Sequence, residues 1–374
     1  MNNKNEINIT KFDSALFNIR EQLDYQFFLT PINYNEENEK FLDYYKRGIK
    51  YNPQYVYHTF EVSHNSETDT ILLQNEAKFT GEEKIIGDAI ENIRNEVKMY
   101  ESIGNDNYFT DYSKMVYGTP KEEYLDTALN ILKKDSKSKK ENMSYGPDDL
   151  RKMICKCLEE YGFVWDVKIM PNMAARISVE PDRKAIYINE TKMFSYNDIQ
   201  RLLIHEIHTH VLRAENGYKR ELKIYSSGTA NSLIHEEGLA LYNEWKNNVL
   251  DEFALKLYAA RYICCVNIEK SFFDLFDYLI KNGCTYEMAI YIVPRIKRGL
   301  TDTKNPGGFI KDYVYFQGMY EVIDALKQNQ ELYNSMYYGV ISLDDVDTLK
   351  DKIDLAKTQG KIIYPNSILP KINY

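Results

Sequence analysis

Three histidines and a glutamate interrupt a mostly apolar stretch, LLIHEIHTHVL, within the segment RLLIHEIHTHVLRAENG, which begins at residue 201. Ser195 followed by Asp198 is typical of a capping box at a helix start, and Gly217 is typical of a helix end. The sequence therefore predicts a helix over about residues 196–215 with a buried apolar face. Buried imidazoles and carboxylates need partners, and a shared metal ion provides one.

The spacing of these histidines departs from the usual zinc-peptidase motif. H-E-x-x-H places two histidines one turn apart on one helix face, whereas His205 and His210 are five positions apart. On a regular helix they would lie about 140° apart, unless an extra residue in a π-bulge returned them to one face. His205 and His208 would lie about 60° apart without distortion. The spacing therefore leaves both pairs open as metal ligands.

Two acidic residues, Glu236 and Glu237, offer the third protein ligand that a catalytic zinc site needs. They lie near the start of another predicted helix, in NSLIHEEGLALYNEW, where Gly238 and Ala240 leave room for a neighbouring helix. Two histidines from one helix and a glutamate from the next form a known catalytic arrangement. These residues predict a metal site with Zn²⁺ as the cofactor.

Along the rest of the chain, helices are expected first, then a small sheet, and then more helices. Helices are predicted at about residues 10–30, 35–46, 82–104, 120–133 and 148–161, and an extended segment at 54–62. Alternating Val, Ile and Tyr predicts three strands, at 164–170, 174–180 and 184–189, with a hairpin turn at Pro181. Helices follow from residue 195, so the expected fold class is α+β.

The polar, lysine-rich segment 134–147 is the expected linker or exposed loop. It separates a helical N-terminal region, residues 1–135, from a zinc peptidase catalytic domain, residues 148–374. The 374 residues provide enough chain for one large or two modest domains.

Composition argues against several classes of function. The formal net charge of −9 gives no support for nucleic-acid binding. The chain has no run of about twenty apolar residues and no apolar segment at its start, so neither a membrane span nor secretion is expected. The five cysteines fit no disulfide framework and are expected to be reduced. We therefore expect a cytoplasmic protein with no nucleic-acid or membrane partner.

These motifs resemble the tyrosine carboxypeptidase family, which includes the microtubule-associated tyrosine carboxypeptidases and bacterial proteins named for a QEGLA motif. The family pattern H-E-I-x-x-H is present at residues 205–210, and Q/E-E-G-L-A at 236–240. Other matching segments are LTPINYNEENEKFL, RELKIYSSGTANSLIHEEGLA, VPRIKRG and GGFIKDYVYFQG. The resemblance covers most of the chain and implies a mostly helical, zincin-like metallopeptidase fold.

The resemblance also implies a particular set of zinc ligands, His205, His210 and Glu237, which favours the bulged helix. His208 falls where relatives often have glycine, so the resemblance does not make it a ligand. Many relatives have glutamine in place of Glu236, so the resemblance implies that Glu236 contacts a metal ligand or the substrate.

The activity implied by the resemblance is removal of a C-terminal residue, tyrosine or another aromatic, from a protein or peptide. A tubulin tail is one candidate substrate. Zinc would lower the pKa of a water molecule, and Glu206 would take its proton as the general base. Tyr315 is the expected donor to the oxyanion, with His208 and His235 as alternatives.

A carboxypeptidase must also bind the free α-carboxylate of its substrate. Arg295, Arg298 and Lys311 lie in family-matching segments and are the candidates, since a guanidinium fork matches two carboxylate oxygens. The structural alternative is that Arg298 pairs with Asp312. Two other functions stay open, a zinc endopeptidase and a regulatory binding protein without hydrolytic activity.

Overall fold

Helices make up most of this protein, and a small sheet lies between its N-terminal and C-terminal helices. The computed structural model describes residues 9–20, 22–62, 71, 79–134, 143–171, 173 and 175–366. The helices before the sheet are α1 Ile9–Arg20, α2 Tyr25–Phe28, α3 Tyr34–Lys46, α4 Glu83–Glu101, α5 Phe109–Tyr117, α6 Leu125–Lys133 and α7 Pro147–Tyr161. Residues 54–62, predicted to be extended, pair with another segment through one bridge, from Gln54 to Asp302, and form no regular strand.

The three predicted strands form one sheet in the order β1-β3-β2. Their bounds are β1 Asp166–Met170, β2 Ile177–Glu180 and β3 Ala185–Asn189. β2 and β3 are antiparallel, as the predicted turn at Pro181 requires, and β1 is parallel to β3. Residue 174, the expected start of the second strand, lies outside the described residues. β2 lies at one edge of this sheet.

The chain after the sheet is helical, as predicted. It begins with one long helix in three parts, α8 Tyr196–Leu202, a π-helical segment Leu203–Val211, and α9 Leu212–Gly217. The helices that follow are α10 Ile224–Ser227, α11 Ser232–Lys246, α12 Glu252–Val266, α13 Phe272–Lys281, α14 Tyr286–Ile296, α15 Val314–Gln328, α16 Glu331–Met336 and α17 Lys350–Thr358. The small sheet and the many helices confirm the α+β class.

The predicted capping box at the start of α8 is confirmed. The backbone N–H of Asp198 donates to Ser195 Oγ at 3.0 Å, and the backbone N–H of Ser195 donates to Asp198 Oδ2 at 3.0 Å. These bonds satisfy donors that a helix start leaves unpaired. They fix the point at which the chain enters the helix that carries His205 and His210.

Helices α11 and α15 cross with their backbones in contact at two glycines. A Cβ atom on Gly238 would lie 2.3 Å from the carbonyl carbon of Gly318, and one on Gly318 would lie 2.0 Å from the carbonyl oxygen of Ile234. The close helix approach predicted at Gly238 is thereby confirmed. It brings α11, which carries Glu237, against α15, which carries Tyr315.

Apolar side chains from both halves of the chain share one core. Ile90 and Val97 of α4 belong to the same buried cluster as Leu239 of α11 and Val322 of α15. The division into residues 1–135 and 148–374 stays a prediction, and most of the expected linker, residues 135–142, lies outside the described residues. Within the described part of the chain, no helix has both the length and the apolar character to cross a membrane.

Candidate metal centre

The π-helical segment brings His205 and His210 to the same side of their helix. In a π-helix the hydrogen bonds run over five residues rather than four, so residues five apart become neighbours. The two imidazole centroids lie 4.9 Å apart. The Thr209 hydroxyl donates to the Ile204 carbonyl five residues earlier, at 3.1 Å. The predicted departure from α-helical geometry is confirmed, and it extends over nine residues rather than one bulge.

His205, His210 and Glu237 converge on one point between the π-helical segment and α11. Each offers one ligand atom, and these atoms lie within 4.8 Å of one another. Glu237 Oε2 lies 3.3 Å from His205 Nε2 and 3.6 Å from His210 Nε2. This oxygen is buried and accepts no hydrogen bond from any residue that the structure describes. A cation held by all three side chains would satisfy it, and two imidazoles with one carboxylate are a donor set that fits Zn²⁺.

A second carboxylate orients each imidazole. His205 Nδ1 donates to Glu244 Oε1 at 2.6 Å, and His210 Nδ1 donates to Glu236 Oε1 at 2.9 Å. Because Nδ1 of each ring is bound in this way, Nε2 is left to face Glu237. Glu236 therefore contacts a candidate ligand, as the resemblance implied. Glu244 was not predicted, although it follows Glu237 by seven residues, about two helical turns, and so lies on the same helix face.

The carboxylates of the site favour the protonated form of the imidazoles. Burial opposes protonation of His205, but Glu237 and Glu244 outweigh it and raise the His205 pKa to about 9. Burial also opposes ionisation of Glu237, but His205 and His210 outweigh it and hold its pKa far below the ordinary value. For Glu206 burial dominates over the neighbouring imidazoles, and its pKa is raised. The site thus combines an anionic Glu237 with a Glu206 that is more basic than an exposed glutamate.

His208 points away from the other two histidines. Its Nε2 lies 3.9 Å from Cys157 Sγ, and its ring packs edge-on against Tyr161 at 5.8 Å between centroids. Burial lowers the His208 pKa to about 4, so the imidazole is neutral at pH 7. The structure therefore pairs His205 with His210 and not with His208.

One cavity of about 390 Å³, here called the central cavity, adjoins the converging side chains. The predicted site residues along its walls are His205, Glu206, His210, Glu236, Glu237, Arg295, Lys311 and Tyr315. A second cavity, here called the outer cavity, shares the lining residues Tyr291 and Arg295 with the central cavity. A third, here called the rear cavity, shares the lining residues Leu233 and Glu236 with it. The structure thus brings these predicted residues together in one cleft.

His235, an alternative oxyanion donor, borders the rear cavity rather than the central one. Its Nδ1 accepts a hydrogen bond from the backbone N–H of Leu343 at 3.1 Å. Tyr315 does border the central cavity, and its ring stacks on that of Tyr258 with 5.2 Å between centroids. Of the three candidate donors, Tyr315 is therefore the one that lines the same cavity as the candidate ligands.

The basic candidates for the substrate carboxylate occupy different surroundings. Arg295 donates from Nε and Nη2 to the two oxygens of Asp312, at 2.8 and 3.0 Å. Asp312 thus forms a bidentate ion pair with Arg295. Arg298 is also among the cations that lower the Asp312 pKa, and a direct pairing of Arg298 with Asp312 stays a prediction. Because α14 ends at Ile296, Arg298 falls beyond the helix and borders the outer cavity. Lys311 remains at the central cavity.

Arg261 of α12 also lines the central cavity and was not predicted. It is 7% exposed, and its guanidinium carbon lies 5.6 Å from the ring centroids of Tyr258, Tyr291 and Tyr315. The signal in the sequence is one charged residue in the apolar run LYAARYICCV. A lone arginine in a buried helix is costly unless it has partners or a function.

Fold and site together define a class, helix-rich α+β proteins with a candidate His–His–Glu metal centre. Comparison with known families then identifies the particular one. A family model described as microtubule-associated tyrosine carboxypeptidase matches residues 40–365, and the chain belongs to this family. The resemblance inferred from the motifs is confirmed.

Curated relatives match the chain over part of its length. Mouse microtubule-associated tyrosine carboxypeptidase 1 is 32% identical over 186 residues, and the human protein 31% over 185 residues. Each match covers 47% of this chain and 38% of the relative. The mouse putative tyrosine carboxypeptidase MATCAP2 is 27% identical over 169 residues, or 43% of this chain and 31% of that protein. The matches thus span less than half the length of these relatives.

Proposed function

We propose that this protein is a zinc-dependent carboxypeptidase that removes a C-terminal aromatic residue, in particular tyrosine, from a protein or peptide. The observation that carries the proposal is the convergence of His205, His210 and Glu237, with Glu206 in the same cavity. Family membership supports the reaction, because the relatives described above are named tyrosine carboxypeptidases. The two histidines from one helix, the glutamate from α11 and the preceding sheet support a zincin-like architecture.

His205, His210 and Glu237 would hold the zinc ion, and Glu236 and Glu244 would keep the two imidazoles in place. When bound, zinc would lower the pKa of a water molecule and polarise the scissile carbonyl. The chain itself supplies the proton acceptor, Glu206. Its raised pKa suits a group that takes a proton from water and passes it to the leaving amine.

Tyr315 is the proposed donor to the oxyanion that develops at the scissile carbonyl. Its hydroxyl belongs to a ring that is stacked on Tyr258. This stacking limits the freedom of the ring, which supports a donor that is already oriented when the substrate binds. Replacing Tyr315 by Phe should therefore lower kcat without releasing the metal.

A second candidate function is a zinc endopeptidase with the same metal chemistry. The observation that favours it is the continuity of the cleft, since the outer and rear cavities both share lining residues with the central one. A chain could therefore extend to either side of the metal centre. The cationic groups at the central cavity favour the carboxypeptidase, because a carboxylate terminus needs such partners.

A peptide library separates these functions from each other and from a binding role without hydrolysis. The purified, zinc-loaded chain is incubated with peptides that end in tyrosine, phenylalanine, alanine or glutamate, each with a free or an amidated C-terminus, and mass spectrometry reads the products. The proposal expects loss of single aromatic residues from free termini. Equal cleavage of free and amidated peptides would favour the endopeptidase, and no cleavage of any peptide would contradict hydrolysis.

The names of the relatives and the composition of the chain support proposals for the substrate and the cellular compartment. The relatives are named for association with microtubules, so a tubulin tail is one candidate substrate. The five cysteines are all free thiols, which supports a reducing compartment such as the cytoplasm. The acidic net charge supports the absence of a nucleic-acid partner.

A further inference from the structure

We propose that Arg261 binds the α-carboxylate of the substrate's C-terminal residue. The inference rests on the proposed carboxypeptidase function and assigns one of its unassigned subsites. Its ligand is a free carboxylate, and the site lies where α12 lines the central cavity, which His205 and Glu206 also line.

The charge of this wall is positive. Arg261, Arg295 and Lys311 all line the central cavity. Both oxygens of Asp312 already accept hydrogen bonds from Arg295. Arg261 Nε lies 3.7 Å from Asp312 Oδ2, and among the described residues it has no hydrogen-bond acceptor. The Asp312 carboxylate is thus shared by two guanidinium groups. A second carboxylate, from a ligand, would supply the acceptor that Arg261 Nε lacks.

The surrounding rings hold the guanidinium in place without neutralising it. Tyr258, Tyr291 and Tyr315 lie at cation–π distance from Arg261. Its contact with a hydroxyl is long, 3.4 Å from Nη2 to Tyr291 Oη. Burial alone would raise the Tyr291 pKa, but Arg261 and Arg295 outweigh it and lower that pKa. The phenol therefore lies in a positive potential, which is the field that attracts a carboxylate.

Other arginines near the metal centre are less suited to this role. Arg201 lines the central cavity, but Glu244 lies 3.4 Å from it and Asp198 3.9 Å, so its charge is compensated. Arg298 borders the outer cavity and not the central one. Arg295 is held by its bidentate pair with Asp312. Arg201 Nε is also buried without an acceptor among the described residues, but two carboxylates lie near its guanidinium, whereas Arg261 has one carboxylate at 3.7 Å, and that carboxylate is already bound by Arg295.

The test compares free and amidated substrates on charge variants. Peptides ending in tyrosine acid or tyrosine amide are offered to the zinc-loaded chain and to Arg261→Gln, Arg261→Lys and Lys311→Gln. Removing one partner of a buried charged contact costs 2–5 kcal/mol or more, about 30-fold or more. We expect Arg261→Gln to lower kcat/KM by roughly that factor for the acid and by less than about threefold for the amide. Arg261→Lys should keep part of the acid preference.

Matched controls separate this effect from misfolding. Arg151→Gln makes the same chemical change at an exposed residue of α7 and should leave the acid preference intact. The thermal unfolding temperature and zinc content of each variant show whether the fold and the metal site survive. Loss of the acid preference in Lys311→Gln with its retention in Arg261→Gln would overturn the proposal, as would an equal loss on both substrates in a folded, zinc-loaded Arg261→Gln.

A binding measurement keeps the inference testable if hydrolysis fails. Calorimetric titration of the full chain with L-tyrosine and with L-tyrosine amide reads carboxylate binding without turnover. We expect the acid to bind more tightly, and Arg261→Gln to abolish the difference. Equal affinity for acid and amide in the unchanged chain would overturn the role of Arg261. Cleavage without acid preference would do so too, while it would leave the metallopeptidase function intact.

Discussion

The two walls of the central cavity carry opposite charge: carboxylates surround the candidate ligands on one wall, and cationic side chains line the other. On the wall formed by the π-helical segment and α11, Glu236 and Glu244 each hold an imidazole of a candidate ligand. On the wall formed by α12, α14 and α15, the single carboxylate of Asp312 lies near two guanidinium groups, those of Arg295 and Arg261, so positive charge is in excess. The first arrangement favours a fixed cation, and the second favours an incoming anion. The difference shows how a chain can prepare one site for a metal and the neighbouring site for a substrate.

The largest expected effect comes from the metal-bearing wall and separates catalysis from metal binding. Glu206→Gln removes the proton acceptor but no candidate ligand, so kcat should fall about 10²- to 10⁴-fold while zinc binding is unchanged. Peptide release and zinc content, measured on one preparation, check both parts. Retained turnover in this variant would remove Glu206 from the proposed mechanism.

The next effect concerns the cationic wall and stability. Asp312→Asn leaves Arg295 and Arg261 without their shared carboxylate, so unfolding free energy should fall by about 3–5 kcal/mol. Chemical denaturation of the metal-free chain measures it, with exposed Asp148→Asn as the matched control, expected within about 0.5 kcal/mol of the unchanged chain. Zinc affinity should stay the same, and a matching loss of zinc affinity would mean that the two walls are not independent.

A smaller effect tests the groups that orient the imidazoles. Glu244→Gln weakens the acceptor at His205 Nδ1 and should reduce zinc affinity about 10- to 100-fold. Glu236→Gln should cost less, because the resemblance implies that glutamine serves at this position in relatives. Competition with a chelator gives both affinities. The reverse order would show that His210 depends on its carboxylate more than His205 does.

The smallest effect concerns the support of the π-helical segment. The Tyr337 hydroxyl donates to the His208 carbonyl at 3.0 Å, and Asn243 Nδ2 donates to Tyr337 Oη and Thr209 Oγ1 at 2.9 Å each. Tyr337→Phe leaves buried groups unsatisfied, at a cost of about 1–3 kcal/mol, and should lower zinc affinity less than tenfold. Cobalt substitution would report the change as a shifted visible spectrum. Tyr45→Phe, which removes a hydroxyl bonded to Asp277, should leave that spectrum unaltered.

Local patterns predicted much of this molecule. Alternating residues predicted the strands, the capping pair at Ser195 and Asp198 predicted the start of α8, and Gly238 predicted a close helix crossing. The spacing alone left two histidine pairs open, but the pair that the resemblance favoured, His205 and His210, required a departure from α-helical geometry, and the structure has one. In each case the interacting groups lie close together in the sequence or one small residue leaves a clear signature.

Long-range pairing explains what local patterns missed. Arg295 and Arg298 lie three residues apart in the same motif, but Arg295 lies within α14 and forms the bidentate pair with Asp312, whereas Arg298 lies beyond the helix end at Ile296. Arg261 lies far from Arg295 in the sequence and approaches the same carboxylate, Asp312, because α12 packs against α14. Residues 54–62 have the composition of a strand, but within them the structure shows one β-bridge, at Gln54, and no regular strand.

The most direct test of the account is the position of the metal. Crystals of the zinc-loaded chain, measured at the zinc absorption edge, give an anomalous signal at any bound zinc ion. The account predicts one strong peak within about 2.0–2.2 Å of His205 Nε2, His210 Nε2 and a Glu237 carboxylate oxygen. A peak held by other residues, or zinc-loaded crystals without a peak at these three side chains, would contradict it.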